Sequence, residues 1–528
     1  KNGDEMRKGI RVTVYVVFAL TVLYFVVEWF LEAKIRYFVE KKVEEVSRGA
    51  VRAEIGSVSL RLIGRSLWLE EVKISSDTVA LRRSGWPLKR VEGYFDRLGA
   101  RGVHFRKRDS LFYLRARELD AGISRLAADI LKPGPGGRSA ARTLAGVQVE
   151  VETVSVRLDR MYCRVIEGRD SVDYRLNGFS GKVTDGEFRT FPAGKGWPFA
   201  CGDIQLALSS FQCRFAKGAS LLEVDSLRWQ GDEERFTVGA FRLLPQYGMY
   251  EFARKSPGHA DWTRIEAAGL EGTGVDWRRF MAERWIDVDS LSFGKLSVRN
   301  FKNRQIEQTP RVKRLFYQSV QEFPFPLSVR RIALQHADVE YLELAKHGSA
   351  PGRITFNGLQ GMFYGLTNRG TAFTVKAKGK LMNRGEMQAV FRLPAGRSNP
   401  FFEVEGRLGA MNLAALNPMT EPLAKVKIAS GRVEGMTFSM KGDAQRADAD
   451  VLFLYEKLRI RIMKEKDGHL ETRSFLTTLA NGLIVRENNP GSGGERKVCG
   501  SAERDPYRSQ FNYLWKTLFS GLKKSVGL

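Results

Sequence analysis

The side chains best suited to catalysis are few and widely separated in this chain. No HExxH metal pattern, GxSxG nucleophile elbow, Walker lysine, dinucleotide fingerprint or Cys-x-x-Cys occurs. The 60 acidic residues always offer carboxylate pairs, so their number assigns no acid–base chemistry. We therefore expect a protein that is not an enzyme, with no catalytic, cofactor-binding or metal-ligating residues. The five histidines are His104, His259, His336, His347 and His469.

The cysteines do not form a recognisable framework. Cys163, Cys201, Cys213 and Cys499 are too few and too scattered for a disulfide scaffold or for paired zinc ligands. Cys201 and Cys213 could pair across a hairpin in an oxidising compartment, and this alternative stays open.

The chain is basic along its whole length. It has 85 Lys and Arg against 60 Asp and Glu, a net charge of +25, without a basic block. This distribution favours a protein that works against anionic surfaces such as lipid head groups or lipopolysaccharide. A solvated surface that is merely basic is the alternative. We expect no nucleic-acid partner, because no aromatic and basic RNP-like motif occurs.

One apolar run, residues 12–31, dominates the hydropathy of the chain. Twenty residues at helical rise cover about 30 Å, the hydrocarbon thickness of a bilayer. The bulky end at Trp29 offers no small-residue cleavage site, so we predict an uncleaved signal anchor. Glu28, the one acid in the run, could snorkel to the interface or be an intramembrane proton site. The preceding basic residues predict a cytoplasmic N-terminus and a periplasmic bulk, in a bacterial inner membrane crossed once: Lys1, Arg7, Lys8 and Arg11.

The periodicity changes after the predicted span. Residues 32–48 keep helical spacing and Gly49 supplies a stop, so we expect a stalk helix within residues 32–50. Beyond it, apolar residues alternate with polar ones, as in antiparallel strands that have one apolar face. The first alternating residues are Val58, Leu60, Leu67 and Leu69.

A short pattern recurs along the chain: an apolar residue, two others, an apolar residue, one other, an apolar residue. Five copies at irregular spacing predict a repeated strand unit with variable insertions. They are Ile55–Val58–Leu60, Val151–Val154–Val156, Val224–Leu227–Trp229, Val288–Leu291–Phe293 and Val329–Ile332–Leu334.

Three further segments are predicted to be helical. Residues 115–131 have helical spacing at Leu119, Ile123, Leu126 and Ile130, and residues 472–484 have a similar apolar side. Residues 505–526 begin with Asp505 as N-cap and Pro506 at the first position. This last helix could cap the sheet or lie on a membrane. Its apolar stripe comprises Phe511, Leu514, Trp515, Leu518 and Leu522.

The sequence therefore predicts a mainly β protein: a transmembrane helix followed by an elongated, curved, antiparallel β-sheet groove with flanking and C-terminal helices. Pro324 and Pro326 mark a junction between two β-rich halves. The predicted segments are 1–31 tail and anchor, 32–50 stalk, 51–300 first β-region, 301–326 junction, 327–470 second β-region and 471–528 C-terminal helices.

Both ends of the chain resemble AsmA-family proteins. After the basic N-terminus, span and stalk comes GSVSLRLIGRSLWLEEVKISS at 56–76, which is similar to the strand–hairpin–strand that opens these proteins. Residues 401–443, FFEVEGRLGAMNLAALNPMTEPLAKVKIASGRVEGMTFSMKGD, resemble the AsmA-like C-terminal repeat in their Gly-x-Leu hairpin, Leu-Asn-Pro turn and Ser-Gly-x-Val strand.

The resemblance implies a bridge-like lipid-transfer fold, in which acyl chains lie along an apolar groove without catalysis. It implies phospholipid and the inner membrane as partners, a possible outer-membrane or envelope protein partner, and a role in outer-membrane lipid homeostasis. The alternative is an envelope scaffold that aids outer-membrane protein or lipopolysaccharide biogenesis, with its apolar face closed by its own helices. The candidate groove residues are Val58, Leu60, Leu67, Leu69, Val154, Val156, Leu291, Phe293, Ile332 and Leu334.

Overall fold

The computed structural model describes residues 2–84, 86–108, 111–132, 147–189, 199–396, 400–466, 469–473 and 485–527. This part of the chain is mainly β, and it divides into two compact units. Unit 1 comprises Lys1–Cys213 with Leu227–Asp232, and unit 2 comprises Arg214–Ser226 with Glu233–Leu528. The described α-helices are α1 Asn2–Val46, α2 Thr78–Ser84, α3 Met249–Lys255, α4 Trp277–Glu283, α5 Phe316–Gln321, α6 Asn417–Ala424 and α7 Gln510–Val526.

Ten strands begin in the first 230 residues, and the last two contribute residues to both units. Strands β1, β2, β3, β5, β6 and β7 pair in that order, and β4 and β8 are short additions to β5 and β7. The strands are β1 Val51–Arg61, β2 Ser66–Ser76, β3 Leu88–Arg101, β4 His104–Arg108, β5 Leu111–Leu131, β6 Val147–Glu167, β7 Asp170–Arg189, β8 Phe199–Ala200, β9 Asp203–Phe215 and β10 Ser220–Gln230.

Unit 2 contains a run of paired strands from β11 to β18, followed by β20, β21 and β23. The short strands β19 and β22 pair with β20 and β21. They are β11 Arg235–Pro245, β12 Trp262–Val275, β13 Ile286–Asn303, β14 Leu327–Leu344, β15 Gly352–Thr367, β16 Ala372–Leu381, β17 Gly385–Pro394, β18 Phe402–Leu408, β19 Met411–Asn412, β20 Val426–Gly442, β21 Arg446–Lys466, β22 His469–Thr472 and β23 Lys497–Glu503.

The strand pairing is mixed, so the prediction of a purely antiparallel sheet was wrong. Strands β5 and β6 are parallel, as are β13 and β14. Parallel neighbours need a long crossover to bring the chain back to the same end. Residues 304–326, which contain α5, connect the second pair.

The predicted helix at residues 115–131 was also wrong, because these residues belong to strand β5. In the pairing with β3 the register shifts at Ser124: Phe95 pairs with Ile123, and the preceding Tyr94 pairs with Arg125. Such an irregularity shifts the two-residue alternation of a strand, so apolar residues three apart can share one face. The spacing of Ile123 and Leu126 therefore resembled a helical period.

The N-terminal helix and the stop at Gly49 agree with the sequence pattern. Helix α1 runs without interruption to Val46, and Gly49 follows with a φ of 77°. Its side chains Ile35, Val39 and Val43 pack against buried side chains of β1 and β2. Within the described residues, no helix has the length and apolar character needed to cross a membrane.

The last helix begins later than predicted. Helix α7 starts at Gln510, and the Ser509 hydroxyl accepts from the Asn512 amide as its N-cap at 3.3 Å. Asp505 instead closes a turn by accepting from the Tyr507 amide at 2.9 Å. Most of the predicted helix at 472–484 lies outside the described residues.

Unit 2 contains the largest hydrophobic core. Helices α5 and α7 cover its apolar face, where buried side chains of strands β14 to β21 meet. Tyr513 of α7 is 2 % exposed, contacts the Phe402 ring with centroids 6.1 Å apart, and donates to the Asp443 carbonyl at 3.2 Å. This part of the sheet is therefore a closed core.

Candidate functional site

Unit 1 has a sheet with one continuous apolar face. Successive register partners across β1, β2, β3, β5, β6 and β7 place apolar or small side chains in three rows, because cross-strand partners point to the same side. The rows are Leu60, Leu67, Ala100, Leu119, Val154, Val183; Val58, Leu69, Leu98, Ala121, Val156, Gly181; and Ile55, Val72, Phe95, Ile123, Leu158, Phe179. We call these side chains the apolar face.

The opposite face of the same strands is polar. Asp120, Ser155 and Lys182 are register partners there, in the row next to Arg157. Arg157 forms ion pairs with Asp96 at 3.8 Å and with Asp159 at 3.6 Å. Water can therefore solvate this side without a covering layer, whereas the apolar face needs an apolar partner.

Trp68 is the large aromatic side chain on the polar face. It is 9 % exposed and is stacked under the Arg97 guanidinium, 3.6 Å from the ring centroid. Its cross-strand neighbour is Gly99, where a Cβ atom would overlap the indole. Gly99 thus lets the indole lie flat on the sheet, beneath a cation.

Helix α1 covers only the beginning of the apolar face. Ile35 and Val39 pack against the cluster of Ile55, Val58 and Val72. Helix α2 packs against β3, and its Leu81 side chain lies in one cluster with Val51 of β1. Further along, the side chains on β5, β6 and β7 are mostly half-buried. Burial, together with the negative charge of Asp129, raises the pKa of the Cys163 thiol on β6.

A row of charged side chains on α1 binds the outer edge of β1. The carboxylates of Glu28, Glu32 and Glu40 accept from the backbone amides of Leu62, Leu60 and Ile55 at 3.0, 2.7 and 2.9 Å. Arg36, in the same row, donates to the Gly56 carbonyl at 2.9 Å. These bonds occupy backbone groups that an exposed edge strand would otherwise offer to another chain.

The structure places Glu28 against the end of β1. Its side chain is 8 % exposed and accepts from the Leu62 amide. The four-residue spacing of Glu28, Glu32, Arg36 and Glu40 is visible in the sequence and could have revealed this contact.

The structure brings the predicted groove residues of unit 1 onto the apolar face. Val58 is buried and the other five are half-buried. Sequence reasoning missed the partners that complete the rows on β3 and β5, since β5 was taken for a helix. The six predicted residues are Val58, Leu60, Leu67, Leu69, Val154 and Val156.

The predicted groove residues of unit 2 also share one face. Leu291 lies opposite Ile332, and Phe293 lies opposite Leu334, in the parallel pair β13–β14. All four are half-buried, and Leu291 and Ile332 pack against the core that the helices close. Two copies of the recurring pattern are thus aligned residue by residue.

Helix α7 uses most of its predicted stripe inside unit 2. Leu514, Leu518 and Leu522 pack against the core. Trp515 stacks on Phe519 with ring centroids 5.5 Å apart, and Phe511 contacts the Phe356 ring at 6.0 Å. Three of the five predicted side chains therefore stabilise the unit and are not available to a bilayer.

The described residues contain no group of three or more His, Cys, Asp or Glu side chains arranged to hold a metal ion. Cys213 is a free thiol, so the possible pairing with Cys201 is not formed. Compared with models of known protein families and with curated protein sequences, the chain matches none.

Proposed function

We propose that this chain is a membrane-anchored, AsmA-like protein that binds phospholipid acyl chains along the apolar face of unit 1 and supports the lipid homeostasis of an outer membrane. In this proposal residues 12–31 cross the inner membrane once, and the rest lies in the periplasm. The apolar face is one wall of an elongated groove, and the protein performs no catalysis.

The observation that carries the proposal is the extent of the apolar face. Three rows cross six strands, yet the helix that packs against them, α1, contacts mainly the first strand. Half-buried apolar side chains such as Leu119, Val154 and Val156 continue beyond it. Apolar area removed from water contributes about 25 cal/mol per Å², so an acyl chain gains by lying on this surface.

The polar side of the sheet supports the same assignment. Its ion pairs keep the outer face in water, while the basic residues of the chain favour anionic head groups. Acyl chains can thus lie on one face while the other stays solvated.

Unit 2 supports a different role, that of an assembly scaffold. Its apolar face is closed by α5 and α7, and Tyr513 of α7 is buried in the core beneath them. If the apolar face of unit 1 were also closed by the protein's own helices, the envelope-scaffold alternative would apply to the whole protein. We assign scaffolding to the closed part of unit 2, and lipid binding to unit 1.

Native mass spectrometry of the full-length protein, extracted in a mild detergent, tests the proposed function. We expect phospholipid adducts that survive release from the micelle, because the acyl chains are held by the apolar face. A chain that is stripped of all lipid under conditions that preserve its fold would contradict the proposal.

A further inference from the structure

Among the described residues of unit 1, the turn between β1 and β2 contains the most exposed large apolar side chain, Ile63. Leu62 and Ile63 are 41 % and 86 % exposed. Neighbouring Phe105 of β4 is 66 % exposed. The two segments are held together, since the Val103 amide donates to the Arg65 carbonyl at 3.1 Å. We call Leu62, Ile63 and Phe105 the apolar tip.

The two segments that form the apolar tip carry only basic charges, and the Glu28 carboxylate of α1 lies beside them, where it accepts from the Leu62 amide. The segments RLIGR at 61–65 and HFRKR at 104–108 contain no acid. Arg61 and Arg106 are exposed, and the Arg65 guanidinium lies against the His104 ring. Apolar side chains ringed by arginines are the composition that binds the interface of an anionic bilayer.

Helix α1 holds the apolar tip beside the C-terminal end of the apolar residues 12–31. The Leu62 amide donates to Glu28, which is three residues from the end of residues 12–31. Beside it, Trp29 is 70 % exposed, and the Lys34 ammonium lies 4.9 Å from the centroid of the Phe30 ring. Aromatic and basic side chains at one level are typical of a membrane–water interface.

We propose that the apolar tip is a second membrane contact: Leu62, Ile63 and Phe105 enter the interfacial layer of an anionic bilayer, while Arg61, Arg65 and Arg106 bind lipid phosphates. This inference rests on the proposed anchor. It also deepens the proposed function, because the row that begins at Leu60 then starts at the membrane surface, where lipid could pass onto the apolar face.

The test uses the full chain with its four cysteines replaced by serine, so that a single introduced cysteine carries an environment-sensitive fluorophore. The labelled sites are Ile63→Cys at the tip, Leu23→Cys in the apolar run, and Val312→Cys, which is 59 % exposed in unit 2. Each chain is placed in nanodiscs of phosphatidylcholine and phosphatidylglycerol. Lipids that carry a nitroxide quencher near the head group test positions 63 and 312, and lipids that carry it in the middle of the acyl chain test positions 23 and 312.

We expect the labels at positions 63 and 23 to lose most of their emission, and the label at position 312 to keep it. Nanodiscs of phosphatidylcholine alone should weaken the quenching at position 63 and leave position 23 unchanged. Equal quenching at position 63 in both lipids would overturn the role of the arginines.

The reference labels separate failure of this inference from failure of the anchor. Quenching at position 23 without quenching at position 63 would overturn the second contact and leave the anchor standing. Loss of quenching at both sites would overturn both. Quenching at position 312 as well would mean unspecific association and would also overturn the inference.

Discussion

Replacing Gly500 with alanine will detach helix α7 from unit 2 and destabilise the protein by about 3 kcal/mol, the upper end of the usual cost of overpacking. A Cβ atom at this position would lie 2.7 Å from the Thr517 carbonyl oxygen and would also collide with the Gly521 amide. These are backbone atoms, so no side chain can move aside. Chemical unfolding of the full-length protein in detergent, followed by the fluorescence of Trp515, measures the loss.

Gly493 provides the matched control. A Cβ atom there meets no neighbour within 4 Å, so Gly493→Ala should change the free energy of unfolding by less than about 0.5 kcal/mol. If Gly500→Ala were as stable as Gly493→Ala, the close packing of α7 on β23 would be wrong, and the helix would be available for the membrane role considered from sequence.

An aspartate at Val58 will unfold unit 1, whereas an aspartate at Val156 will leave it folded and remove lipid binding. Both valines belong to the same row of the apolar face. Val58 is 8 % exposed beneath Ile35 and Val39, so a carboxylate there is buried without a partner and should cost about 4 kcal/mol or more.

Val156 is half-buried on β6, beyond the cluster that α1 covers. Its replacement by aspartate should therefore cost about 1 kcal/mol or less, since the carboxylate can reach water. The charge would nevertheless interrupt an apolar track. Thermal unfolding and the phospholipid content of purified Val58→Asp and Val156→Asp chains distinguish the two effects. Equal destabilisation by both changes would identify the whole face as ordinary core.

The sequence predicted one-sided strands correctly because the side-chain period of two survives in the first strands. Leu67 and Leu69 point to one face, and Trp68 points to the other. It failed at β5, where the register with β3 shifts at Ser124 and the apolar spacing resembles a helical period. Irregularities of this kind are set by neighbouring strands, so one sequence does not reveal them.

The recurring pattern places its first two apolar positions, three residues apart, in one core. In β13 and β14, Val288 and Val329 are buried there, and Leu291 and Ile332 pack against the same cluster. The two strands keep one register, with Val288 opposite Val329 and Leu291 opposite Ile332. These two copies of the pattern are therefore aligned neighbours in the sheet.

The parallel pairs could not be predicted, because alternation is the same in strands of either direction. Likewise, the contact between α1 and β1 depends on a hydrogen bond from a backbone amide to Glu32, twenty-eight residues away. The four-residue spacing of the charged side chains indicates one contact surface on the helix, but the sequence does not identify β1 as the strand that it binds.

The central claim, that the apolar face of unit 1 holds acyl chains, is tested most directly by photo-crosslinking from its two sides. Benzoylphenylalanine is placed at Val156 on the apolar face or at Ser155, its chain neighbour on the polar face, in cells that express the full chain. We predict phospholipid crosslinks from position 156 and none from position 155. Crosslinks of equal yield from both positions, or none from position 156 in a folded protein, would contradict the claim.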